Sequence, residues 1–241
     1  MSNDRSPMAA SPNAFTARLR AREPVTMVNV GGRNPDLMPL LARHGADAAF
    51  IDCERTGIGL DAAAELIVAA RACGLPAAVR SHSRAGPELI RLLDRGADAL
   101  VVPHIETAAQ VEEAAELVRY ACGEDAIRKS LVIQIETRSS LESLHAIAAV
   151  PGVDAFLIGP NDIAYELAGR RGRHTPQTLA AIDEACATLH GLGRSFGYPA
   201  TTEELPLFQR RGANLRYVSV DWLIEAGMRA CVPKEPIGAR P

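Results

Sequence analysis

Eight short apolar or β-branched runs alternate along the chain with longer segments rich in Ala, Leu, Glu and Arg, and this alternation limits the folds open to it. The runs are "VTMVNV" (25–30), "AAFID" (48–52), "PAAVR" (76–80), "ALVVP" (99–103), "LVIQIE" (131–136), "AFLIG" (155–159), "SFGYP" (195–199) and "YVSVD" (217–221). The segments between them carry helical spacing. In "PELIRLLDRG", Leu89, Leu92 and Leu93 share one face, and Gly96 suits a helix end. "PDLMPLLARHG" and "LAAIDEACATLHGLG" close in the same way. The phrases "HGAD", "RGAD" and "RRGAN" each end a helix and lead into a strand, which points to shared local geometry rather than a sequence repeat. Eight strands alternating with helices in 241 residues predict a single-domain (β/α)8 TIM barrel. An open doubly wound sheet has the same local pattern. Neither GxGxxG nor a P-loop is present, however, and "GIGLD" at 57–61 supplies only GxG after polar residues.

A net charge of −3 gives no basic field for nucleic acid or an anionic membrane. The 47% hydrophobic content is enough for a sizeable core, and no apolar run reaches the ~18 residues of a membrane span. The five cysteines, Cys53, Cys73, Cys122, Cys186 and Cys231, form no CxxC pair and have no histidine at zinc-finger spacing. Free thiols in a reducing cytoplasm are expected. Residues 1–14 read as a flexible N-terminal tail without a signal-peptide core, 15–232 as the barrel and 233–241 as a flexible C-terminal tail. "GRRGRH" (169–174) reads as a solvated basic loop, with attraction of an anionic acceptor as the alternative.

In a barrel the working face is the C-terminal end of the strands. Polar residues collect there: Asp52, Glu54 and Arg55 after the second strand, and Arg80 and His82 after the third. His104 and Glu106 follow the fourth, Gln134 and Glu136 sit on the fifth, Asn161 and Asp162 follow the sixth, and Asp221 the eighth. Carboxylates half-buried at such a rim are costly unless paired or bound to a metal. Glu136 and Asp162 therefore suggest two oxygen ligands for an octahedral divalent cation, Mg²⁺, Mn²⁺ or similar. Alternatively, Glu136 caps the next helix or pairs with Arg138, and Asp162 acts as a helix cap in "PNDIAYEL". Arg80 could equally serve as a strand-end ion pair with Glu54 or Asp52. Strand alternation turns Cys53 toward the helices, where it packs.

"FIDCER", "AAVRSHS", "LLDRGADALVVPHIETAAQ", "IQIETR" and "GVDAFLIGPNDIA" occur in order, and this series resembles the HpcH/HpaI aldolase family over about residues 25 to 230. "QIET" with "GPND" is its most specific part. The resemblance implies a barrel with a divalent metal on Glu136 and Asp162. It implies a metal-chelated 2-oxo acid, with Arg80 after the third strand and Gln134 on the substrate side. Backbone N–H groups around Gly159, Pro160, Asn161 and Asp162 suit the substrate carboxylate. The implied activity is a carbon–carbon lyase that cleaves or forms 4-hydroxy-2-oxo acids through a pyruvate enolate, with an aldehyde as the second partner. Oxaloacetate decarboxylation, a citramalyl-type cleavage or a non-catalytic barrel that binds 2-oxo acids remain as alternatives.

Two departures from the family pattern stand out. After "DxE" the family usually carries an acid/base histidine, whereas this chain has Arg55, which cannot accept a proton at ordinary pH. The aspartate that assists that histidine in the family is retained as Asp94, so an Arg55–Asp94 ion pair, within one chain or across a subunit interface, is one outcome the resemblance leaves open. His82 and His104 are the alternative candidates for a base. The family's Arg/Gly-rich loop between the fourth and fifth strands is also absent, because "VRYACGEDAIRKSLV" runs almost directly into the fifth strand. Its loss is expected to leave the pocket more open. The resemblance further implies a homo-oligomer, a hexamer, and "WLIEAGMRACV" (222–232) has apolar residues for packing either between subunits or on its own barrel.

Overall fold

The computed structural model describes residues 12–169 and 175–232. Most of the expected tails and nearly all of the basic loop lie outside the described residues. Eight parallel strands form a closed barrel in chain order: β1 (Val25–Asn29), β2 (Ala48–Asp52), β3 (Ala77–Arg80), β4 (Ala99–Val102), β5 (Ser130–Ile135), β6 (Ala155–Ile158), β7 (Phe196–Pro199) and β8 (Leu215–Ser219). β1 and β8 complete the closure, with Val25 opposite Leu215. Around them lie α2 (Met38–Arg43), α3 (Leu60–Ala72), α4 (Gly86–Asp94), α5 (Ala108–Cys122), α6 (Arg138–Glu142), α7 (Leu144–Ala149), α8 (Pro160–Ala168), α9 (Pro176–Gly191), α10 (Leu205–Arg210) and α11 (Val220–Cys231), while α1 (Ala14–Arg20) precedes β1. The predicted TIM barrel is the observed fold.

The two-residue period of each strand divides its side chains between two cores. One set, including Ala49, Ile51, Val79, Leu100, Ile133 and Phe156, packs against the helices. The other, including Met27, Phe50, Ala78, Val101, Val132, Leu157 and Leu215, fills the barrel interior. Continuing that inward alternation to the strand ends brings Asn29, Asp52, Arg80, Gln134 and Tyr217 to the top of the barrel. Cys53, one residue out of phase, is buried in the helix layer, and burial pushes its thiol up to about 12. It packs there, as expected.

The floor of the barrel is closed by α1. Asn13 caps this helix, and Phe15 and Leu19 enter the interior core, each burial contributing roughly 1.5–3 kcal/mol. Thr16 Oγ1 meets Ser130 Oγ at 2.8 Å, and Arg20 donates to Asp154 Oδ1 at 2.7 Å. The recurring helix-ending phrases have a shared role at this end. Gly45, Gly96 and Gly212 take positive φ values of 84, 99 and 74° that turn the chain out of the helix. The Asp or Asn two residues later then accepts the backbone N–H that starts the preceding strand. Asp47 takes Thr26, Asp98 takes Ala77 and Asn214 takes Phe196, and Asp154 does the same for Leu131.

Two features depart from the sequence expectation by more than a one-residue shift of a strand end. β8 ends at Ser219, two residues earlier than "YVSVD" suggests, because the Ser219 side chain caps α11 by accepting the Asp221 N–H. The shortened connection between β4 and β5 passes from α5 through a short 3-10 turn (Gly123–Arg128) on the floor side, where Arg20 donates to the Ile127 carbonyl.

Gly197 stands opposite Leu215 in the β7–β8 ladder, and a methyl group there would lie 1.5 Å from the Leu215 carbonyl oxygen. Gly197→Ala should cost about 3 kcal/mol through forced separation of the strands. Urea denaturation measures it, and an unchanged midpoint would mean that the ladder opens there freely.

Candidate active site

Register places Asp52 on β2 directly opposite Arg80 on β3. Arg80 Nε and Nη2 reach Asp52 Oδ1 and Oδ2 at 2.9 and 2.6 Å, a forked pair buried under the mouth. Arg80 Nη1 lies 2.8 Å from Glu54 Oε2 and 3.4 Å from Gln134 Oε1. The Gln134 amide donates in turn to Glu136 Oε2. Burial works against the charge on Arg80, but the Asp52 hydrogen bond and the charges of Asp52 and Glu54 outweigh it and raise its pKa. The strand-end ion pair considered for Arg80 is therefore present with both acids.

Glu136 follows β5 and is almost fully buried. It neither caps α6, whose cap is Thr137, nor pairs with Arg138, which donates to the Glu166 carbonyl. Its Oε1 accepts the His104 backbone N–H at 2.8 Å. The His104 ring spans two acids, with Nδ1 3.2 Å from Glu136 Oε1 and Nε2 3.2 Å from Glu54 Oε1. Gly159 allows this packing, since a Cβ there would lie 2.9 Å from Glu136 Cβ.

Asp162, in the first turn of α8, acts electrostatically on Glu136, but its Oδ1 is held by Arg55 Nη2 at 2.5 Å. Gly159, whose N–H goes to the Ile135 carbonyl, is the residue that precedes α8. Arg55 also lies 3.5 Å from Glu54 Oε1, and the Asp162 and Glu54 charges raise its pKa against the opposing effect of burial. Asp94 ends α4 at the floor, so within one chain it does not meet Arg55. His82 lies in the loop after β3, where its backbone N–H donates to Glu88 at 2.5 Å. The structure thus gathers Arg55, Arg80, Gln134, Glu136, Gly159 and Asp162, adds His104, and leaves Asp94 and His82 apart.

The opposite wall was missed in the sequence. Asn29 Nδ2 donates to the Tyr217 hydroxyl at 2.6 Å, and Tyr217 packs edge-on against Phe50, with Trp222 beyond it. Inward alternation on β1 would have found Asn29. Tyr217 was hidden by the two-residue error in β8, which put it at the floor end of the strand. These residues and Arg55, Arg80, Gln134, Pro160, Asn161 and Asp162 line a cavity of about 790 Å³.

The donor chemistry fits a divalent cation. Asp52, Glu54, Glu136 and Asp162 face two guanidiniums, so two negative charges are left unbalanced when all four acids are ionised. Glu54 Oε2 is buried and accepts no hydrogen bond despite its nearness to Arg80. One donor atom each from Glu54, His104 and Glu136 lies within 4.8 Å of the others, so small side-chain shifts would bring them onto one ion.

Burial, the strongest influence on Glu136, raises its pKa. Glu54 and Asp162 add to the rise, and the His104 N–H and charge oppose it. A raised folded-state pKa means the fold holds this proton more tightly than the unfolded chain does. Metal-free protein should then lose stability as pH climbs from the ordinary carboxylate range through the raised value. In EDTA at pH 8, Glu136→Gln should raise Tm by about 2–4 °C for each kcal/mol recovered. A lower Tm in a thermal melt would show that the ionised carboxylate stabilises the fold.

Residues 25–204 match the model of the HpcH/HpaI aldolase/citrate lyase family. A hydroxypyruvate/pyruvate aldolase of Cupriavidus necator is 30% identical, with 84% of this chain and 83% of that protein covered. A 4-hydroxy-4-methyl-2-oxoglutarate aldolase of Chaetomium globosum is also 30% identical, over 68% of this chain and 71% of its own length. Among solved structures, a HpcH/HpaI aldolase/citrate lyase family protein from Burkholderia cenocepacia superposes with a TM-score of 0.82 at 26% identity, covering 90% and 97% of the two chains.

Proposed function

The chain belongs to the HpcH/HpaI aldolase/citrate lyase family, and on that footing we propose that it is a divalent-metal-dependent carbon–carbon lyase that cleaves or forms 4-hydroxy-2-oxo acids by way of a pyruvate enolate. The observation that carries this reading is the buried chain Asp52–Arg80–Gln134–Glu136 at the barrel mouth. Glu136 and Asp162 are the acids assigned to the ion, with Arg55 releasing Asp162 on loading. When bound, an ion such as Mg²⁺ or Mn²⁺ supplies Lewis acidity where the substrate C2 oxygen gains negative charge.

The chain's own residues supply the remainder. Asp52 fixes the Arg80 fork, so a permanent positive charge stands ready without reorganisation. Gln134, braced between Arg80 and Glu136, orients the same oxygen. At the start of α8, Pro160 has no N–H, and the Asn161 and Asp162 amides point outward from the first turn, suited to the substrate carboxylate. The cavity has room for a pyruvate unit and an aldehyde-derived portion, the latter lying toward Tyr217 and Trp222.

Pyruvate C3 deuterium exchange, followed by NMR with Mg²⁺ or Mn²⁺, tests enolate formation independently of the aldehyde. Exchange should be metal-dependent and abolished in Glu136→Gln. Arg80→Lys keeps the charge but loses the fork, and should slow exchange by about 10²-fold. Exchange that survives Glu136→Gln, or that needs no metal, would overturn the reading.

Arg55 supports a second enolate reaction. Retro-aldol cleavage needs a base for the C4 hydroxyl proton, whereas decarboxylation of oxaloacetate does not, and Arg55 is held as a cation by Asp162 and Glu54. Exchange together with oxaloacetate decarboxylation but without cleavage of any 4-hydroxy-2-oxo acid would favour that step, or a citramalyl-type cleavage. Absence of both exchange and metal uptake would leave a non-catalytic binding barrel.

We further propose a homo-oligomer, hexameric by resemblance. α11 has no buried residue, and Leu223, Ile224 and Met228 are exposed on it. Light scattering of the full chain should give a multiple of 25.7 kDa, and Ile224→Glu with Met228→Glu should reduce it to that mass. A monomeric parent would refute the assembly. The five cysteines are all free, which agrees with a cytoplasmic location, and no described helix is long and apolar enough to cross a membrane.

A further inference from the structure

We propose that the Tyr217 hydroxyl, oriented by Asn29, delivers the proton to the C4 oxygen when the carbon–carbon bond forms. This deepens the enolate reading above and rests on it.

Two hydrogen bonds set the direction of the hydroxyl. Asn29 Oδ1 accepts the Gly31 N–H at 2.9 Å, which fixes the side-chain amide and turns Nδ2 toward Tyr217. Nδ2 then donates to the phenol oxygen at 2.6 Å. An amide NH₂ has no lone pair to offer, so the phenol proton is directed away from Asn29. Among the described residues nothing accepts that proton, and Tyr217 lines the cavity. A substrate oxygen there would complete the phenol.

The position suits the C4 oxygen. The Tyr217 ring packs against Phe50 with centroids 4.9 Å apart, and the Arg80 guanidinium lies 5.8 Å from the same Phe50 ring. The phenol and the arginine fork thus flank one side chain. In a 4-hydroxy-2-oxo acid a single methylene separates the carbons that carry the C2 and C4 oxygens. A substrate whose C2 oxygen meets Arg80 and Gln134 therefore brings its C4 oxygen to the adjoining wall. The neighbouring groups are otherwise engaged. Thr56 donates its hydroxyl to the Asp52 carbonyl, Ser219 caps α11, and Arg55 and Arg80 are held as cations by Asp162 and Asp52. Burial pushes the Tyr217 pKa up, and Asp52 and Asp221 add to the rise against the Asn29 hydrogen bond and the Arg80 charge. The phenol is thus neutral at ordinary pH, as a proton donor must be. In the addition, the electron pair at the enolate C3 forms the C3–C4 bond. The π pair of the aldehyde carbonyl moves onto its oxygen, which takes the Tyr217 proton, and water at the open mouth reprotonates the phenolate. Cleavage runs the same steps in reverse.

The test compares two rates in the full-length chain supplied with Mg²⁺ or Mn²⁺. One is pyruvate C3 deuterium exchange, which needs no aldehyde. The other is condensation of pyruvate with acetaldehyde, glycolaldehyde or glyoxylate. Tyr217→Phe keeps the ring against Phe50 and removes only the hydroxyl. It should slow condensation by about 10²-fold or more, while exchange, which also reports a folded mouth, changes by no more than a few-fold. Asn29→Asp keeps the acceptor for Gly31 but turns a second acceptor on the phenol and captures its proton. It should lower the ratio of condensation to exchange in the same direction, whereas a merely structural role would move both rates together. Condensation that survives Tyr217→Phe, or equal loss of both rates, would overturn the role of Tyr217. Wild type that exchanges C3 but condenses with none of the three aldehydes would also overturn it and leave the enolate reading standing. Wild type without metal-dependent exchange would refute both.

Discussion

The mouth of the barrel depends on the pairing of Arg80 with Asp52. Parallel register sets the two opposite each other at the ends of β3 and β2. Asp52 does more than neutralise the guanidinium. Its Oδ1 also accepts the backbone N–H groups of Glu54 and Arg55, both at 3.1 Å, and its carbonyl accepts the Thr56 hydroxyl. One carboxylate thus fixes the arginine fork and shapes the loop that carries the next two charged residues. Removing either partner of a buried pair leaves an uncompensated charge at a cost of about 3–5 kcal/mol. That cost would fall on a network in which Glu54, Gln134 and Glu136 are all placed relative to Arg80.

Such a network is tolerable because the rest of the barrel is apolar. Below the polar layer the interior holds Met27, Phe50, Val101, Val132 and Leu157, and α1 seals the floor with Phe15 and Leu19. Stability and chemistry are separated along the barrel axis. The lower layers and the helix shell bury apolar surface, while the top layer concentrates charge in an environment that strengthens each electrostatic contact. Asp47, Asp98, Asp154 and Asn214 serve the floor by binding strand amides, so acids at that end are structural. Asp94 lies at the same end of its helix, which explains why a match by sequence order alone does not bring it to the mouth of its own chain.

The legible part of the sequence was the part governed by local periodicity. Alternation over four to six residues gave the strands, and strand ends then located Arg80, Gln134 and Glu136. What escaped depends on side-chain reach and register across the barrel. Glu54 and His104 follow different strands, and nothing in their spacing says that one ring will span Glu54 and Glu136. The Arg55–Asp162 pair escaped for a similar reason, since Arg55 reaches across from the loop after β2 to α8. The two-residue error in β8 arose because "YVSVD" continues a β-branched pattern into a helix cap, and periodicity cannot see that the Ser219 side chain has already started α11. The floor-side position of the shortened β4–β5 connection likewise follows from topology and not from its length.

Arg55 changes the chemistry open to this site by exchanging a proton carrier for a fixed charge. A histidine in its place could take up and return a proton, whereas the arginine is held protonated by Asp162 and Glu54. Its presence also screens Asp162, so the strongest unscreened negative potential shifts toward Glu136 and the His104 ring. Any proton released in bond cleavage must then leave by water, and the mouth permits this. The side chains of Arg55 and His104 are 39% and 51% exposed, while Glu136 beneath them is sealed. The arrangement suits stabilisation of an anion better than removal of a proton, because both guanidiniums are pinned by carboxylates while the His104 imidazole sits at the solvent edge. A reaction whose difficult step is charge development at C2 gains most from such a mouth, and one limited by deprotonation of a hydroxyl gains least.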